Sequence, residues 1–195
     1  MDEAVLIFLN QLIGTYPVLD NFVYFLASYL AYVLVLLAAW AFFRPGDWGL
    51  TDRYYILAAG LGAFLSRFGL KEVIVWFYDQ PRPFDVLEGV SQLVEQTSFA
   101  SFPSGHTIFF FSLGTALIFF SYRLGGLILL GGALIGLSRV IAGIHWPSDI
   151  LGGAVLGFWV GLVVIFIWLR FFDRSELSKQ LARLKKYNAL CGQKG

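Results

Sequence analysis

DILGGAVLGFWVGLVVIFIWLRFF, residues 149–172, decides the fold. Its two charges, Asp149 and Arg170, stand toward its ends, and the apolar stretch between them matches the about 20 residues a helix needs to cross a bilayer. Gly152, Gly153, Gly157 and Gly161 give it a small-residue face on which a neighbouring helix can pack closely. Upstream, residues 21–43, 54–78, 106–122 and 124–141 read the same way.

The whole chain supports that reading. Of its 195 residues 58% are hydrophobic and 14% charged, with 20 phenylalanines, against roughly 45–50% and about 25% in soluble proteins. A soluble domain of this size leaves about 30% of its unfolded surface exposed and could not hide so much apolar surface. The expected fold is therefore all-α, a polytopic membrane bundle of five transmembrane spans. The net charge of +1 offers nothing to a nucleic-acid backbone, so nucleic acid is excluded as a partner. The lone Cys191 cannot form an internal disulfide. Asp2 and Glu3 at the start do not resemble the basic opening of a secretory signal. The short apolar run 4–13 reads as an interfacial or packed N-terminal helix ending before Pro17.

Pro45, Gly46 and Asp47 punctuate one turn, Gly125 and Gly126 help mark another, and residues 79–104 form the long polar loop. Orientation follows from the positive-inside bias. Arg44, Arg53, Arg123, Arg170, Arg174, Lys179, Arg183, Lys185, Lys186 and Lys194, ten of the 14 basic residues, fall on one side. The N-terminus and the long loop are thus expected outside a plasma membrane and the tail inside. Residues 1–172 form the membrane-embedded domain and 173–195 a basic cytoplasmic tail. In that tail Leu177, Leu181 and Leu184 recur opposite the basic residues, which suits a helix on an anionic leaflet or a solvated cytosolic one.

Ionisable residues in an apolar bundle are costly and point to function. Here they gather at one depth, the expected outer mouth: Arg82 after the second span, Ser104, Gly105 and His106 at the start of the third, Arg139 at the end of the fourth, His145 and Asp149 at the start of the fifth. Arg82 and Arg139 offer planar forks for phosphate oxygens. Ser104 offers a hydroxyl, and Gly105 with His106 opens a helix whose free N–H groups favour an anion. His145 and Asp149 are four apart and share a helix face, so the carboxylate can orient a neutral imidazole to attack phosphorus, with His106 protonating the leaving oxygen. A metal is disfavoured because the arginines would repel a cation, and no cofactor is called for.

Pro103-Ser104-Gly105-His106, followed by Ser138-Arg139, five residues, His145, three residues and Asp149, resembles the signature of the type 2 phosphatidic-acid phosphatase superfamily, whose motifs read K-x6-R-P, P-S-G-H and S-R-x5-H-x3-D. The resemblance covers roughly residues 54–172. It implies a helical bundle, metal-independent phosphate ester or diphosphate hydrolysis and a phosphohistidine intermediate. His145 would be the nucleophile, Asp149 its orienting carboxylate and His106 the acid, with Arg82, Ser104, Gly105 and Arg139 holding the phosphate. One element departs: the motif lysine falls on Val75, and the nearest lysine is Lys71, one turn further back and about 6 Å deeper. Its side chain is expected to lean away from the site, and Lys71 stands as a candidate substitute for the missing motif lysine. Arg67 lies a turn deeper again and would repel Lys71 unless Glu72 or a bound anion intervenes.

The compact frame resembles the bacterial undecaprenyl-diphosphate phosphatases of that superfamily, which implies a lipid phosphate substrate, a polyprenyl diphosphate first and phosphatidate or phosphatidylglycerophosphate second. An anion transporter is the remote alternative, disfavoured by the absence of inverted repeats or a broken span in the sequence.

Overall fold

The computed structural model describes residues 2–43, 49–96 and 100–172. The expected turn at 45–47, the tail 173–195 and Cys191 lie outside them. The described chain is all-helical, in the order α1 (Asp2–Asn10), α2 (Pro17–Ser28), α3 (Leu30–Phe43), α4 (Leu50–Leu65), a π-helical turn (Ser66–Leu70), α5 (Lys71–Phe77), α6 (Pro83–Val86), α7 (Gly105–Phe120), α8 (Tyr122–Ile141) and α9 (Pro147–Phe171).

Local chemistry sets the boundaries. Pro17, Pro83 and Pro147 each occupy a first-turn position, where a missing N–H costs nothing and the fixed φ suits the helix. The Asp52 carboxylate turns back to accept from the Gly49 N–H at 2.9 Å, and the Asp20 carboxylate does the same for Gly14 N–H at 3.1 Å. Ser121 alone separates α7 from α8, with its hydroxyl accepting from Leu124 N–H.

α7 runs through the middle, packed against α4, α8 and α9. Ile56, Ala59, Ala63, Phe110, Leu113, Leu117, Ile128 and Ile135 form the core around it. The glycine face of α9 is spent on α7: a methyl at Gly157 would sit 2.5 Å from the Ile108 carbonyl oxygen, and one at Gly161 2.8 Å from that of Ser112. Only backbone-to-backbone approach fits there. The Tyr55 hydroxyl donates to Ala116 O at 2.6 Å, tying α4 to α7.

α8 and α9 are each long and apolar enough to cross a membrane, and α2 with α3 passes the same test as one unit bent by 45°. The first expected span is therefore bent, where an unbroken helix was expected. Tyr29, between the two halves, marks the bend. The second expected span is interrupted by the π-helical turn, and α7 is apolar but shorter than α8 and α9. Only 17% of the most apolar window of α9 is buried, and Leu151, Val155, Trp159 and Phe166 face outward. An apolar surface of that extent suits hydrocarbon, not water.

α1 packs onto the start of α9 and the end of α8. Asp2 accepts hydrogen bonds from Ser148 N–H and Oγ–H, and buried Asn10 donates to Ser91 O and Ile141 O at 2.8 Å each while accepting from Ser91 N–H at 2.8 Å. A second cluster, Val23, Ala27, Val94, Ala142 and Ile144, fills the space beneath this end.

Candidate active site

The residues singled out in the sequence meet where α7 and α9 begin and α8 ends. Gly143, at φ +73°, turns the chain out of α8; a side chain there would also stand 2.6 Å from Ser91 O. The turn delivers His145. Asp149, in the first turn of α9, points its carboxylate back: Oδ2 accepts from Trp146 N–H at 2.8 Å and from His145 Nδ1 at 3.1 Å. With Nδ1–H donating to the carboxylate, Nε2 is left with a free lone pair. His145 is 3% exposed and Asp149 fully buried. Burial first, and then the charges of Arg139 and Arg82, hold the imidazole of His145 well below its ordinary range, so it is neutral near pH 7.

The loop before α6 is stitched to this turn. Arg82 donates through Nη1 to Ile144 O at 2.6 Å and through Nη2 to Ala100 O at 3.2 Å, and Trp146 Nε1–H donates to Pro81 O at 2.9 Å. Arg139, in the last turn of α8, donates through Nη1 to Ala27 O at 2.9 Å. Its Nε is buried without a hydrogen-bond partner among the described residues. A buried donor left unmet costs roughly 1–3 kcal/mol, and an anion beside it removes that cost.

Ser104 precedes α7, yet its hydroxyl does not cap the helix; it accepts from Thr107 Oγ1–H at 3.1 Å. The first intrahelical bond runs from Ile108 N–H to Ser104 O at 3.0 Å, so the N–H groups of Gly105, His106 and Thr107 precede it and remain for a ligand. Ser104 N–H donates to Asp149 O at 3.1 Å, which joins the two helix starts. A methyl at Gly153 would stand 3.0 Å from Ser104 O, so the small face of α9 also sets this spacing.

Arg67 and Lys71 correct the sequence reading. The spacing puts Lys71 a turn deeper and leaning away, and Arg67 a turn deeper again, yet Arg67 Nη1 lies 3.3 Å from His106 Nδ1, and a methyl on Gly105 would stand 2.9 Å from Arg67 Nη1 and 3.3 Å from Lys71 Cδ. α5 overshoots the site, ending at Phe77, and the non-helical residues 78–82 lead back to Arg82. The level of the site is thus that of the π-helical turn, not of the helix end. Lys71 pairs with Glu72 at 3.7 Å, as expected, but the Glu72 side chain is 60% exposed, and such a pair contributes little. The available signal was two cations one turn apart in an apolar segment, a costly arrangement unless both face an anion.

The assembled pocket offers fixed cations, free helix N–H groups and an oriented neutral imidazole, a set suited to a phosphoryl group. Among the described residues, no three His, Cys, Asp or Glu side chains stand together as metal ligands.

The profile of the PAP2 superfamily matches residues 52–173, more than half of the chain. The bacitracin transport permease protein BcrC of Bacillus licheniformis is 34% identical over 179 residues, covering 87% of this chain and 86% of the relative. Undecaprenyl-diphosphatase BcrC of Bacillus subtilis (strain 168) is 34% identical over 158 residues, covering 80% of this chain and 76% of the relative. Among solved structures, Aquifex aeolicus LpxE superposes with a TM-score of 0.66 at 30% identity, covering 84% of this chain and 94% of the other. The apolar helices, the profile match and these likenesses together place this integral membrane protein among the phosphatases of the PAP2 superfamily.

Proposed function

We propose that the protein hydrolyses a polyprenyl diphosphate, undecaprenyl diphosphate to undecaprenyl phosphate, through a phosphohistidine. The observation that carries this reading is the His145–Asp149 pair beside the open start of α7. His145 Nε2 attacks the terminal phosphorus while Asp149 holds Nδ1–H and offsets the charge that develops on the ring. Arg82, Arg139, the Ser104 hydroxyl and the N–H of Gly105 hold the phosphoryl oxygens. His106 donates a proton to the leaving oxygen where the leaving group needs one. Water then cleaves the phosphohistidine. No step calls for a metal.

The substrate assignment is supported by the undecaprenyl-diphosphatase relative. Phosphatidate or phosphatidylglycerophosphate, which present one terminal phosphate to the same chemistry, are the second substrates to test. Transport of an anion, which the permease name of the other relative evokes, would not need an imidazole locked by a carboxylate.

The placement in the membrane belongs to the same proposal. Residues 1–172 form the phosphatase domain with five spans, α1 lies at the interface, the site opens at the outer face of the plasma membrane, and the basic tail 173–195 is cytoplasmic, by the distribution of Lys and Arg. A membrane-impermeant thiol reagent should reach Cys191 only after cells are opened; labelling of intact cells reverses the orientation.

The decisive experiment compares kcat/KM of the purified protein on a polyprenyl diphosphate, phosphatidate and phosphatidylglycerophosphate. Preference for the diphosphate, with release of inorganic phosphate, is expected. A higher value on either monoester overturns the substrate assignment.

A further inference from the structure

We propose that Arg67, with Lys71 beside it, binds the phosphate that stays with the lipid when a diphosphate is cleaved, and thereby selects diphosphates over monophosphates. The inference rests on the function proposed above. Two observations place the pair: Arg67 Nη1 stands 3.3 Å from His106 Nδ1, and both cationic chains lie close to Gly105, where an added methyl would stand 2.9 Å from Arg67 Nη1 and 3.3 Å from Lys71 Cδ.

His106 marks the side from which the leaving group departs, so whatever lies beside His106 lies beside the leaving group. In a monoester the leaving oxygen is bonded to carbon, and nothing anionic adjoins it. In a diphosphate the leaving oxygen is bonded to a second phosphorus whose oxygens carry charge. Two cations at that position serve the second substrate and not the first.

Charge balance supports the same assignment. Arg67 has no salt-bridge partner among the described residues, and the one carboxylate nearby, Glu72, pairs with Lys71 from an exposed position. Two cations one turn apart on an apolar helix repel each other, and a bound phosphate bridging them reverses that. The π-helical turn at Ser66–Leu70 carries Arg67 and ends immediately before Lys71; π-turns inside helices are frequent at functional sites.

The step balances as follows. The bond from His145 Nε2 to the terminal phosphorus forms as the bond from that phosphorus to the bridging oxygen breaks. The electron pair leaves with the bridging oxygen, which remains on the lipid monophosphate. That product has a second pKa of about 6, so it departs as an anion without needing a proton, and Arg67 and Lys71 meet the added charge. An alkoxide leaving a monoester has no such recourse and depends on the proton of His106.

The test uses the full-length protein and two substrates that share one lipid, farnesyl diphosphate and farnesyl monophosphate. Arg67→Ala should lower kcat/KM about 10²-fold more on the diphosphate than on the monophosphate, the size typical of one lost charge-stabilising donor. Arg67→Gln, which retains a hydrogen-bond donor toward His106 but not the charge, should show the same selective loss, and Arg67→Lys should restore part of it. Lys71→Ala should shift the ratio the same way by less. Equal losses on both substrates in both uncharged variants, with the wild type still preferring the diphosphate, overturn the role of Arg67 alone. A wild type that prefers the monophosphate overturns the diphosphate reading itself.

Discussion

On the α8–α9 side of the site, the histidine–carboxylate pair is positioned by residues close to it in sequence: Asp149 holds His145 four residues before it, and Gly143 turns the chain into both. On the α4–α5 side nothing local does this. Arg67 and Lys71 reach the site because a π-helical turn carries one of them and because α5 continues past the level of the site before the chain leads back to Arg82. One half is specified by spacing, the other by how a long helix sits against its neighbours. The first should tolerate almost no chemical change, and the second should be where substrate preference is tuned.

The largest effect is expected from His145→Ala, which removes the nitrogen proposed to attack phosphorus. Turnover should fall by about 10⁴-fold or more on every substrate, and no acid-labile phosphoenzyme should form. Residual turnover above that level, shared by all substrates, would show that the α8–α9 half is not the reacting half.

His106→Ala comes next and probes the boundary between the halves. Its loss should reach about 10²–10⁴-fold on an alkyl monophosphate and be smaller on p-nitrophenyl phosphate or a diphosphate, whose leaving groups need little protonation. Equal losses across the series would remove the acid role.

Gly105→Ala tests the α4–α5 half without touching a charge. The methyl would push Arg67 Nη1 aside and crowd Lys71, so diphosphate turnover should fall by about an order of magnitude while monophosphate turnover is spared. A variant equally impaired on the monophosphate would place the two chains over the attacked phosphate instead.

Smaller in consequence is the protonation state of His145. A depressed pKa means that the folded protein binds fewer protons than the unfolded one below about pH 6.5. The contribution of His145 to stability is therefore complete above that value and declines as pH falls below it. With two histidines in the chain, 15N-histidine spectra in detergent should show the Asp149-bound ring neutral at pH 6. A ring titrating with an ordinary midpoint would contradict the buried placement.

The smallest effect concerns the frame beneath both halves. Asn10→Ala leaves Ser91 N–H and two carbonyls without their partner, at a cost of about 1–3 kcal/mol. Thermal unfolding in detergent should shift downward while the ratio of diphosphate to monophosphate turnover stays constant.

The apolar runs, the P-S-G-H start of α7 and the i, i+4 pair His145–Asp149 could be read directly, because hydrophobicity, helix capping and helical periodicity act between near neighbours in sequence. They determined an all-helical membrane protein, and they singled out a candidate phosphate site with Arg82 and Arg139 by their position at helix ends. The bend at Tyr29, the packing of Asn10 against Ser91 and Ile141, and the level at which Arg67 and Lys71 meet Gly105 were decided only in the tertiary structure. Each depends on where one helix stops against another, a distance of ångströms set by side-chain volume and glycine contacts across the bundle. Spacing along a single helix carries no information about that offset, so a cation two turns from a helix end looked buried and proved to be at the site.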